Sequence, residues 1–149
     1  MKPRSSRILI VDDEEDLTWS ISRSLMRENE LLEIICVNTG DEAFKVLEKN
    51  SIDLVISDLR MPGKSGLEIL DQIQKKHPQT KMIIMTAYGT PALEKQIRET
   101  KNAFYLEKPF DIHVLKKMIS DLNNGAADKN TSIKLKESDL KANANMRLN

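Results

Sequence analysis

ILIVDDEEDL, residues 8–17, runs four apolar residues straight into five acids. An uninterrupted apolar run of this length is how a strand reads when a parallel sheet is covered on both faces. The same kind of run recurs along the chain: RILIV (7–11), LEIICV (32–37), DLVIS (53–57), KMIIM (81–85) and AFYL (103–106). Between the runs lie stretches of helical spacing. Residues 15–28 place Ile21 and Leu25 on one face, 41–49 bring Ala43, Val46 and Leu47 together, and 65–76 carry Leu67, Leu70 and Ile73. Thr90 and Pro91 read as an N-cap and first helical residue for 90–100, and Asp111 as the N-cap of a last helix over 111–123. Five strand–helix units in succession predict an α/β fold, an open, doubly wound, five-stranded parallel sheet flanked by helices.

On that frame the acids acquire a place. Ligands of open α/β sheets bind beyond the carboxyl ends of the strands. Asp12 and Asp13 follow the first strand, Asp58 the third, Thr86 the fourth and Lys108 the fifth, so all five share one edge. Two unit charges ~4 Å apart repel by roughly 4 kcal/mol at an effective dielectric near ~20, so three carboxylates in one crevice need cations. Lys108 supplies one, and a hard divalent ion such as Mg2+ fits the remainder, because it takes one or two carboxylates and keeps several waters. The run is not a calcium loop, which would need a turn glycine and a terminal bidentate glutamate. A carboxylate, a magnesium site, a lysine and a hydroxyl are the parts that phosphoryl transfer uses. His77, in a turn before Pro78, and His113, in the last helix, are not placed to act on the crevice.

Composition sets further bounds. Lys plus Arg and Asp plus Glu are equal at 23 each, so no net charge favours nucleic acid or an anionic membrane. Cys36 is the only cysteine, which excludes an intrachain disulfide, and within LEIICV it reads as a small core hydrophobe. Ile8–Val11 is too short for a signal peptide or a membrane span, so a cytoplasmic location without membrane insertion is expected. The segment 124–149 has few apolar residues and no aromatic, and it reads as a flexible polar tail after a domain over 1–123. Ile133, Leu135, Leu140 and Met146 give that tail a weak amphipathic pattern suited to docking on a partner.

ILIVDDEED, LVISDLRMPGKSGLEIL, MIIMTAYG and YLEKPF stand in the order and spacing of the response-regulator receiver domains of two-component signalling, which the chain resembles over residues 6–123. The wording SDLRMPG, IIMTA and KPFD, with Trp19 in the first helix, is most similar to receivers of nitrogen-regulation-type enhancer-binding transcriptional activators. The fold expected is flavodoxin-like, with strand order 2-1-3-4-5. The resemblance implies that Asp58 is the phospho-acceptor and that Asp12, Asp13 and Asp58 hold Mg2+ with the Arg60 backbone carbonyl. Thr86 and Lys108 would grip the phosphoryl group, and Tyr105 would be the switch aromatic that moves inward after phosphorylation. It also implies a sensor histidine kinase or phosphotransfer protein as donor, an unidentified output protein, a phosphorylation-dependent homodimer, and a cis peptide before Pro109. Such a module catalyses only its own phosphorylation and dephosphorylation and makes no direct contact with nucleic acid.

Two features depart from that pattern. The activators continue into an ATPase and a helix-turn-helix domain, so the sequence also suits a receiver fragment of a larger activator. ETKNAFYL replaces the usual glycine-containing turn before the fifth strand, with Asn102 as a left-handed substitute. Two competing functions share the fold: a phosphorylation-independent adaptor and an aspartate-nucleophile phosphatase. The intact Asp58, Thr86 and Lys108 argue against the adaptor. The phosphatase pattern has two aspartates separated by one residue, whereas Asp12 and Asp13 are adjacent.

Overall fold

The structure, a computed structural model, describes residues 6–28 and 31–123. Strands and helices alternate as β1 (Ser6–Val11), α1 (Glu15–Glu28), β2 (Leu32–Val37), α2 (Gly40–Lys49), β3 (Leu54–Asp58), α3 (Gly66–Lys76), β4 (Lys81–Thr86), α4 (Pro91–Glu99), β5 (Ala103–Glu107) and α5 (Ile112–Asn123). The strands form one parallel sheet in the order β2-β1-β3-β4-β5. This is the expected flavodoxin-like order. The segment 124–149, expected as a tail, lies outside the described residues.

The continuous apolar runs follow from two cores, one on each face of the sheet. Alternate residues of each strand point to opposite faces. Ile8, Ile10, Leu54, Ile56, Ile83 and Met85 meet Ile21 and Leu25 of α1 and Leu115, Met118, Ile119 and Leu122 of α5. Leu9, Val11, Val55, Met82 and Ile84 meet Ala43 and Leu47 of α2, Ile69, Leu70 and Ile73 of α3, and Ile97 of α4. A strand buried on both sides has no polar face to show, and its sequence therefore does not alternate.

Helix starts follow the capping residues. The side chains of Thr39, Ser65 and Thr90 accept from the amides of Glu42, Glu68 and Leu93, and Pro91 opens α4. Asp111 accepts from the His113 amide at 2.8 Å, as an N-cap of α5 does. Asn102 takes a left-handed φ of 61° in the turn before β5, and its side-chain amide donates to the Pro78 carbonyl at 3.1 Å. The Lys108–Pro109 peptide is cis.

Two sequence expectations are corrected. Cys36 is exposed rather than a core residue. β2 is an edge strand, covered on one side only by a neighbour, so part of its apolar run faces outward and only Leu32 and Val37 are buried. Tyr105 does not wait at the surface: it is 5% exposed and packs in the core with Ile84 and Ile97.

Candidate functional site: an acidic crevice at the carboxyl edge of the sheet

Parallel pairing sends the ends of β1, β3, β4 and β5 to one edge, and the polar residues gather there. β1 lies between β2 and β3, so its carboxyl end opens at the point where the chain's progress across the sheet reverses. Asp12, Asp13 and Asp58 each offer a carboxylate oxygen, and these atoms lie within 4.8 Å of one another. Asp12 is fully buried, Asp13 exposed and Asp58 half-buried, which leaves the cluster open on one side.

Lys108 closes the other side. Its Nζ donates to Asp12 Oδ2 at 3.0 Å and lies 3.5 Å from Asp58 Oδ2 and 3.8 Å from Glu14 Oε1. Burial opposes the lysine's charge, but the hydrogen bond it donates to Asp12 and the charges of Asp12, Asp58 and Glu14 outweigh it, and its pKa stands above the ordinary value. For Asp58 burial is the largest influence and pushes the pKa up; the Asp12 charge adds to this, while Lys108 and the Leu59 amide pull the other way. A negative charge on Asp58 is thus undercompensated by the protein alone. Hard oxygen donors, an open side with room for waters and a deficit of positive charge are what a Mg2+-sized divalent ion requires.

The remaining members hold this geometry. Asp12 accepts the Glu14 amide at Oδ1 (2.9 Å), and its own carbonyl receives the Asn38 side-chain amide (2.9 Å). Thr86 is buried at the end of β4, and its hydroxyl accepts the Tyr88 amide at 3.1 Å. Arg60, two residues after Asp58, stacks its guanidinium 5.8 Å from the centroid of the exposed Tyr88 ring at the rim. Tyr105 stands on β5 two residues before its end, and burial, with Glu107 and Glu94 nearby, holds its phenol protonated above the ordinary range. The site therefore unites Asp12, Asp13, Asp58 and Lys108, with Thr86 and Tyr105 adjoining and Arg60 at the rim. Glu14 and Asn38 were missed in the sequence. Asn38 follows β2 and so belongs to the same edge, a signal hidden by its ordinary turn composition.

Away from the crevice, Trp19 is 59% exposed on α1 with Arg23 stacked 4.7 Å above its ring. No helix among the described residues is long and apolar enough to cross a membrane.

Known proteins resemble this chain in sequence and fold. The family model of the response regulator receiver domain matches residues 8–120. The DNA-binding transcriptional regulator NtrC of Klebsiella pneumoniae is 36% identical over 103 residues, 69% of this chain and 22% of the relative. The response regulator protein PilR of Pseudomonas aeruginosa is 35% identical over 116 residues, 76% of this chain and 25% of the relative. The chain thus spans about a quarter of the length of these curated relatives. Among solved structures, the response regulator TrrA of Thermotoga maritima, in complex with Mg2+ and BeF, superposes with a TM-score of 0.69 at 35% identity, covering 78% of this chain and 98% of that one. A receiver domain protein from Clostridium thermocellum gives 0.69 at 31%, covering 81% and 94%. With the strand order, the acid cluster and the matched span in agreement, the chain belongs to the response regulator receiver family.

Proposed function

We propose that this chain takes a phosphoryl group from the phosphohistidine of a sensor kinase or phosphotransfer protein onto Asp58, and that the transfer switches a protein–protein contact. The carrying observation is the Asp12, Asp13 and Asp58 cluster with Lys108 3.5 Å from Asp58. A carboxylate oxygen of Asp58 attacks phosphorus, the phosphorus–nitrogen bond breaks, and its electron pair returns to the donor imidazole, which, already protonated on its other ring nitrogen, leaves as neutral histidine. Lys108 balances charge on the incoming oxygens. The Thr86 hydroxyl leaves the Tyr88 amide and donates to a phosphoryl oxygen. Asp12, Asp13 and the Arg60 carbonyl would hold Mg2+, which when bound neutralises phosphoryl charge. Each hydrogen bond to a charged group is worth roughly 1.5–3 kcal/mol, so two approach the roughly 5.5 kcal/mol that carries an equilibrium from 1:99 to 99:1.

On this reading residues 1–123 are the receiver unit, it works in the cytoplasm, and its chemistry is confined to its own phosphorylation state. The phosphorylated form then meets an output protein or a second copy of itself.

Acetyl phosphate with Mg2+ tests the reading. One hydroxylamine-sensitive phosphoryl group per chain is expected by mass spectrometry, because an aspartyl phosphate is a mixed anhydride. Asp13→Ala should need at least roughly tenfold more Mg2+ for the same rate, the lower end of what disturbing a ligand's surroundings costs. An unaltered Mg2+ requirement in that variant would remove Asp13 from the site.

A further inference from the structure

Gly89 presents a space that something else fills. A Cβ built on it would overlap the Tyr105 hydroxyl, lie 2.9 Å from Tyr105 Cζ and stand 3.3 Å from the Thr86 methyl. Its backbone is not in the left-handed region, since among the described glycines only Gly63 has a positive φ. Conformation therefore does not demand glycine at 89; the missing side chain does. Tyr105 reaches this position across the β4–β5 pairing, in which it stands opposite Ile84, and it is buried there. Thr86 approaches the same spot from the end of β4, three residues before Gly89, with its hydroxyl on the Tyr88 amide. The vacant Cβ position of one glycine thus lies against a residue of the crevice and the aromatic of the neighbouring strand.

We infer that Gly89 is the seat of the Tyr105 side chain, a positioning residue whose lack of a Cβ allows the inward ring and sets how far Tyr105 is exposed on the β5 surface. Any larger residue at 89 expels the ring or displaces the 86–90 segment. Tyr105 is attached to the framework of β5, whereas Tyr88 and Gly89 lie in the loop before α4. Movement of Thr86 toward Asp58 breaks its bond to Tyr88 and shifts the floor of the seat, so the inward ring senses the crevice through Gly89. This last step rests on the proposed function; the seat itself does not.

The chain contains two tyrosines, which makes their accessibility readable separately. In the full chain, NMR line broadening by a soluble nitroxide is expected to strike the ring of Tyr88, which is 72% exposed, and to spare Tyr105. In Gly89→Ala the Tyr105 ring should broaden as strongly as Tyr88. Equal protection of Tyr105 in Gly89→Ala and in the unsubstituted chain would overturn the seat. Stability gives a second reading if Gly89→Ala folds poorly: Gly89→Ala with Tyr105→Leu, which lacks the hydroxyl, should regain most of the lost melting temperature. A double variant no more stable than Gly89→Ala would place the clash elsewhere and contradict the inference. Beryllium fluoride, added with Mg2+ to both forms, separates the two proposals. Gly89→Ala should still shift the Asp58 amide, because the atoms nearest the added methyl belong to Tyr105 and Thr86 and none is a carboxylate oxygen. Loss of that shift in both forms would count against Asp58 as acceptor, while the nitroxide result alone judges the seat.

Discussion

Lys108→Ala is expected to destabilise the domain by about 3 kcal/mol, the lower end for removing one partner of a buried ion pair. Asp12 is the reason. It is fully buried, and without the ammonium its Oδ2 loses the 3.0 Å donor, leaving the Glu14 amide on Oδ1 and two further carboxylates within the same cluster. Some relaxation follows from the open side of the crevice, hence the lower end of the range. For a domain of this size the melting temperature should fall by roughly 10 °C. Saturating Mg2+ should recover part of the loss, since a ligand at ~100 times its Kd stabilises by roughly 2.7 kcal/mol. Combining Lys108→Met with Asp12→Asn should be less destabilising than Lys108→Ala alone, because the uncompensated charge is gone. Thermal unfolding with and without Mg2+ checks each statement. A Lys108→Ala melting temperature equal to that of the parent would show that the acids do not depend on the lysine.

Gly66→Ala should be comparably severe, by overpacking rather than charge. A Cβ there would stand 2.6 Å from the Asp58 carbonyl oxygen and 3.0 Å from Leu59 Cα, both backbone atoms that cannot rotate away. Gly66 also donates its amide to the Leu59 carbonyl at 2.9 Å, so the start of α3 is drawn tightly onto the segment that carries Asp58. Overpacking of this kind costs about 1–3 kcal/mol, and the upper part of the range is expected because backbone must move. The displaced Asp58 should accept phosphate more slowly as well. Chemical denaturation and the initial rate with acetyl phosphate measure the two effects. A variant with parental stability and parental rate would mean that α3 can slide without disturbing Asp58.

The apolar runs disclosed the sheet because burial on both faces leaves no room for polar alternation, and Thr90 and Asp111 marked helix starts because each satisfies amides that the helix cannot, whereas the caps Thr39 and Ser65 emerged only in the structure. The crevice was legible for a topological reason: parallel strands end together, so residues after separate runs had to meet. What stayed hidden depends on position within the sheet or on rotamer. Cys36 sits in a run as apolar as the others, and the expected edge place of β2 did not say which of its apolar residues would face outward. Tyr105 could be assigned to β5, yet whether its ring lies in or out is decided by Gly89, a residue that one-dimensional pattern gives no cause to single out. Asn38 and Glu14 serve Asp12 through contacts that form only on folding.

The central claim is that Asp58 receives the phosphoryl group, and borohydride trapping tests it most directly. Hydride reduces an aspartyl phosphate to the homoserine side chain with release of phosphate, which marks the acceptor irreversibly. After treatment with acetyl phosphate and Mg2+ and then borohydride, peptide sequencing by mass spectrometry should find homoserine at residue 58 and leave Asp12 and Asp13 as aspartate. Asp58→Ala should show no conversion at any position. Homoserine at 12 or 13, or aspartate at 58 in protein that has gained homoserine elsewhere, would contradict the account.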